Sequence, residues 1–248
     1  MELWIIIVIV VAIVALISAL LAVGNYAGDK FADAYEKAFS ISAGAHVSVL
    51  EFVTEQNYAH FDGKLKISRT KKVFGDAYAS KNKTLILTDK TLGSTSVGAF
   101  AVAAHELGHA LQDKESKKVK ALNTMRTIGW IVGKLFLPLI LAFIVLIFFQ
   151  NLQTYAFIIG GVAAGIFLFA VIIKLFIISI EKDASSRAIK MLDEFVPDAQ
   201  MKDVKKIFLK KPVRFMHNSA NTLWLIMTKP AQSESVIAVK TKSELRFA

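Results

Sequence analysis

The chain has 248 residues, 54% of them hydrophobic, and a formal net charge of +10. So apolar a composition excludes an ordinary soluble domain and makes a membrane protein the first class to test. The absence of cysteine excludes disulfides and thiolate metal sites, leaving any metal to histidine and carboxylate.

Residues 4–23 carry no charge and are long enough to cross a hydrocarbon core. No basic residue precedes this run, it is too long for a signal peptide's apolar stretch, and no convincing small-x-small cleavage site follows it, so it is expected to be a retained anchor. Residues 29–57 are predicted helical, because apolar positions recur at three-to-four spacing through FADAYEKAF and HVSVLEFV. A basic, turn-rich stretch with Gly63 and Gly75 as breakers comes next. KNKTLILTDK then predicts a short strand over Leu85, Ile86 and Leu87. Gly93-Ser94-Thr95-Ser96 offers an N-cap to a helix running through Leu111, which is too short and too closely flanked by charge to be a span.

Apolar runs at 128–149 and 155–180 predict a transmembrane hairpin, joined by the uncharged QNLQT of 150–154. Each run is interrupted by one lysine, Lys134 and Lys174, and each lysine is placed to snorkel to the same surface. EKDASSRAIKMLDEF continues helical to Pro197, and DAQMKDVKKIFLKK forms a further helix to Pro212. Residues 213–227 are apolar but short and hold Arg214 and His217. They are expected in the membrane interface, with a fourth span as the alternative. The tail from Thr228 has no assignment.

The loop between the second and third spans has no Lys or Arg, whereas the segments after the first and third spans are rich in them. The positive-inside rule then makes both rich segments cytoplasmic. Orientation in the bilayer accounts for the basic excess. A nucleic-acid partner is not expected, since no compact basic motif with interleaved aromatics occurs. Lysine-over-arginine usage without cysteine suggests a bacterium with an AT-rich genome, and hence a bacterial plasma membrane.

The segment AAHELGHALQ holds the chemistry. His105 and His109 are four apart, so on a helix they lie one turn apart on one face and can share a tetrahedral zinc ion. Glu106 is placed as the catalytic base, taking a proton from the attacking water and passing it to the leaving amine. Gly108 and Ala110 are small, which suggests an open helix surface near the metal. His-Glu-x-x-His arises by accident in roughly one chain in a hundred of this length, but here it falls on a capped helix with uncharged neighbours. His46, His60 and His217 are read as surface or packing residues. Asp183 and Arg187, four apart, are read as an exposed ion pair, and the charge run Lys114–Lys120 as a solvated linker.

A catalytic zinc needs a third protein ligand, which without cysteine must be His, Asp or Glu. Two spans separate His109 from residue 181, so the chain returns to the side it left, and Glu181 stands at the exit of the third span. A merely solvated carboxylate is the rival reading there. Ser185, one turn on, is placed to support the Glu181 carboxylate by a hydrogen bond.

Residues 82–112, NKTLILTDKTLGSTSVGAFAVAAHELGHALQ, resemble the YugP-like family of membrane neutral zinc metallopeptidases, whose stretch reads TKTLRLS…NSTSVAALGVAAHEVGHAIQ. A second match is Glu181-Lys182-Asp183-Ala184-Ser185-Ser186-Arg187-Ala188, where the family has Glu-x-(Asn/Asp)-Ala-Ser-x-Arg-Ala, and a weaker one is Gly44-Ala45-His46-Val47. The chain departs from the family at Ala77-Tyr78-Ala79, where a His-Tyr-Asp run is usual, and in lacking an apolar last span. The resemblance implies a zinc peptidase with a metal ligand at Glu181, and Ala184 and Ala188 leaving room for a helix to approach.

The expected fold is a membrane α-helical chain with a small α+β zincin-like catalytic domain and three transmembrane helices. Its parts are an anchor at 4–23, a cytoplasmic zincin-like domain at 24–127, a transmembrane hairpin at 128–180, cytoplasmic helices carrying the third ligand at 181–211, and an interfacial segment and tail at 212–248. The expected function is zinc-dependent endopeptidase action on membrane-proximal polypeptide, with membrane protein as substrate and the lipid bilayer as partner. The edge of strand Thr84–Asp89 is expected to align the substrate. A non-catalytic membrane adaptor retaining the fold is the alternative. An intramembrane protease is disfavoured, because HELGH lies outside the apolar runs.

Overall fold

The computed structural model describes residues 2–208, except 73, 74 and 117, together with residues 237–238. The interfacial segment predicted at 213–227 and His217 therefore lie outside the described residues. The chain is mostly helical with a small sheet. Its described residues fall into two compact units, one from residues 2–30 and Leu122–Ser179, the other from Phe31–Ala121, residues 180–208 and residues 237–238.

The apolar unit takes its helices from α1 (Leu3–Ser40), α5 (Lys118–Leu146) and α6 (Gln153–Leu192), the last two joined by a single 3-10 turn at Gln150–Leu152. Ile6, Ile140, Phe143, Ile147 and Ala156 form its buried cluster. Lys118–Leu146 and Gln150–Leu192 are long and apolar enough to cross a membrane, and only 11% and 17% of their most apolar windows are buried. Helices of a soluble core hide their apolar face, and these display it. Leu3–Ala19 is a shorter apolar helix.

In the other unit, α2 (Val49–Phe61) opens on a capping box: Ser48 accepts from the Glu51 amide, and Glu51 accepts from the Ser48 amide. The buried Asn57 side chain both donates to and accepts from the Leu65 backbone, at 2.9 and 3.0 Å, tying α2 to the start of β1 (Lys66–Thr70). β2 (Ala77–Ala79) and β3 (Thr84–Thr88) follow, then the single-turn α3 (Asp89–Leu92). With β4 (Ile237–Ala238) the sheet order is β2-β3-β1-β4, β1 and β3 being parallel with Lys66 opposite Thr84 and Thr70 opposite Thr88. α4 (Val97–Glu115) packs under this sheet, its first turn capped by Ser96, whose hydroxyl accepts from the Ala99 amide at 3.2 Å. Phe52, Leu85, Leu87, Phe100, Leu107 and Leu192 are among the fully buried residues of this core.

Three expectations about local structure change. The helix predicted over 29–57 is two helices, parted at 41–48, where Gly44 takes φ +65° and Ser48 starts the second. β1 and β2 lie in the stretch read as turns: KISRT is largely polar and AYA is only three residues, so neither shows a period of two. The predicted strand over Leu85–Leu87 is present as β3, but it lies between β2 and β1, so the expected edge is an interior position. Among the described residues, the sheet ends on β2 at that side.

Candidate metal centre

α4 places His105 and His109 on one face, and their rings meet edge to face with centroids 4.7 Å apart. α6 brings Glu181 to them. Glu181 Oε2 lies 3.1 Å from His105 Nε2 and 3.6 Å from His109 Nε2. One ligand atom from each of the three residues lies within 4.8 Å of the other two, and all three residues are buried. Ligands bound tetrahedrally to zinc at 2.0–2.1 Å stand about 3.3 Å apart, so this donor set fits a zinc ion. Burial alone would push the Glu181 carboxyl up. The hydrogen bonds and charges of His105 and His109 outweigh it and hold the group well below the usual carboxylate range.

The two helices approach closely because their contact is built from small residues. A Cβ added to Gly108 would run into the Ala184 backbone carbonyl, and Ala184 and Ala188 have no exposed surface. Gly108 therefore admits α6 rather than keeping the metal face open, as the sequence suggested; Ala110 too is buried.

Glu106 sits beside the triad, half-buried, and its Oε2 accepts from the Tyr78 backbone amide of β2 at 2.9 Å. The Tyr78 hydroxyl donates to Asp113 Oδ2 at 2.8 Å. Burial, reinforced by that carboxylate, pushes the Tyr78 phenol above its ordinary value. Tyr78 thus lies along α4 from the base to a point two turns on. Sequence reasoning missed this contact because β2 has no strand periodicity.

Ser185 meets His105 rather than the Glu181 carboxylate for which it was proposed, its Oγ lying 3.2 Å from His105 Nδ1. Across the ring, Phe208 stacks on His105 with centroids 6.0 Å apart. His109 Nδ1 lies 2.9 Å from Gln112 Oε1. Gln112 was not singled out, although its place three residues after His109 puts it on the ligand face.

The Asp183–Arg187 pair forms as spaced, Arg187 Nε donating to Asp183 Oδ1 at 3.3 Å, but it is only partly exposed and belongs to a network. Arg187 also donates to Glu115 at 2.6 Å, and Lys118 reaches Asp183 at 3.5 Å. The Lys114–Lys120 run is accordingly not a free linker: Lys114 donates to the His60 carbonyl, and helix forms on both sides of residue 117.

The family model described as "Putative neutral zinc metallopeptidase" matches residues 4–220. No curated protein and no solved structure matches the chain. The match covers most of the sequence, and the chain belongs to that family.

Proposed function

We propose that this member of the neutral zinc metallopeptidase family is a membrane-bound, zinc-dependent endopeptidase that cuts polypeptide close to the bilayer surface. The observation that carries the reading is the convergence of two imidazole Nε2 atoms and one carboxylate in a buried triad, with Glu106 beside it. His105, His109 and Glu181 would hold the ion. Bound zinc supplies a Lewis acid that polarises the scissile carbonyl and lowers the pKa of water. Glu106 takes the proton from the attacking water and delivers it to the leaving nitrogen, while the Tyr78 amide keeps its carboxylate aimed. A non-catalytic adaptor is disfavoured, because it would have no use for a carboxylate held in this way.

The membrane part rests on helix continuity and composition. α6 runs unbroken from Gln153 through the apolar residues to Glu181 and on to Leu192. A ligand fixed to the end of a span ties the chemistry to polypeptide near the membrane surface, and membrane proteins are the substrates proposed. Three apolar runs support three spans, and the charge distribution supports a zincin-like catalytic part on the cytoplasmic side of a bacterial plasma membrane. The test is a comparison of new protein N-termini in membranes carrying wild type or Glu106→Gln. New termini near spans, present only with the wild type, are expected; indistinguishable sets would overturn the reading.

A further inference from the structure

Gln112 has no exposed surface, and a buried primary amide must find partners at both ends. Its Nε2 donates to the Ile180 carbonyl at 2.8 Å and to Asp183 Oδ2 at 2.9 Å, while its Oε1 faces His109 Nδ1 at 2.9 Å. Reversing the amide would set its oxygen against a backbone carbonyl and a carboxylate, so the orientation is determined by chemistry. Asp183 is itself held, since Arg187 occupies its other oxygen.

Two consequences follow for the ligands. Facing an amide oxygen, His109 Nδ1 must carry a proton, which leaves Nε2 as the nitrogen offered to a cation beside Glu181. At His105, Nδ1 faces the Ser185 hydroxyl, which can donate or accept and so does not itself choose a tautomer. The same amide also spans the two helices. It joins the His109 turn of α4 to the α6 turn that begins at Ile180 and carries Glu181.

We propose that Gln112 is the positioning residue of this site: it fixes the tautomer of His109 and, anchored by Asp183, clamps the histidine-bearing and glutamate-bearing turns together before zinc arrives. This inference rests on the zinc reading of the site. It assigns Gln112 no contact with substrate; its effect passes through His109 and Glu181.

The test uses full-length protein in detergent, labelled with 15N-histidine, and two readouts. Long-range 1H–15N spectra of the metal-free protein at alkaline pH report the His109 tautomer, and competition with a chelator reports the zinc Kd. Wild type should show the Nδ1–H tautomer at His109. Gln112→Met, similar in size but with no amide, should lose that preference and weaken zinc binding by roughly tenfold to a hundredfold, the usual cost of removing a ligand's supporting partner. Asp183→Asn leaves Gln112 and all three ligands in place but cannot serve both Gln112 and Arg187 as the carboxylate does. It should weaken zinc severalfold, and should not add fully to Gln112→Met in the double variant. Should Gln112→Met fail to fold, Asp183→Asn alone decides. An unchanged tautomer and zinc affinity within twofold of wild type in the folded variants would overturn the inference while leaving the zinc site standing. Failure of the wild type to bind zinc would overturn both.

Discussion

Helix α6 carries two different chemistries end to end. Up to Ile180, Phe157, Leu168, Leu175 and Phe176 are each at least half exposed, and a Cβ added to Gly161 or Gly165 would meet nothing within 4 Å. From Glu181 onward each turn is engaged: Glu181 with two histidines, Asp183 with Gln112 and Arg187, Ser185 with His105. The first stretch needs to be apolar and helical, and many sequences satisfy that. The second needs particular atoms at particular places, and few do.

The sharpest way to break this contrast is to mutate both stretches and measure metal. His105→Ala, His109→Ala and Glu181→Ala should each lower zinc occupancy at least tenfold, as expected on losing one of three ligands. Leu168→Ala and Phe176→Ala should leave occupancy unchanged. Zinc retained in Glu181→Ala would remove α6 from the site.

Glycine substitutions probe packing in the same terms. Gly108→Val forces a side chain into the Ala184 backbone, and overpacking of this kind costs about 1–3 kcal/mol. A lower thermal midpoint is expected, with loss of zinc. Gly165→Ala, in open space, should leave the midpoint unchanged or raise it. Equal effects at the two positions would mean that the close approach of α4 and α6 is absent in solution.

Much of the centre was legible because its spacing is local. His105, Glu106 and His109 are read from one turn of helix, and its cap from Gly93-Ser94-Thr95-Ser96, of which Ser96 is the residue used. Glu181 is distant in sequence, but two membrane crossings bring the chain back and narrow the choice. What stayed hidden depends on tertiary contacts that leave no local trace. Tyr78 reaches Glu106 from a three-residue strand, and Gly108 reads as an open surface until Ala184 is seen against it. Ser185 was placed on the right helix face but given the wrong partner, since its neighbour across the helix contact decides what its hydroxyl meets.

Smaller effects are expected where only support is removed. Tyr78→Pro deletes the amide that holds Glu106 and should lower kcat roughly tenfold with zinc content unchanged. Zinc loss in that variant would make β2 a structural strand rather than a holder of the base. Smaller still, Arg187→Lys keeps the charge but cannot serve Asp183 and Glu115 as a planar fork does. A weakening of zinc binding by no more than severalfold is expected, because both carboxylates are partly solvated.

In the proposed function, one zinc ion and Glu106 act together in peptide hydrolysis. The most direct test is a paired measurement on purified full-length protein: metal content, and cleavage of an unfolded polypeptide, for wild type and Glu106→Gln. One zinc per chain in both, with cleavage by the wild type alone, is the predicted result. Equal cleavage by the two proteins, or a wild type that holds no zinc, would contradict it.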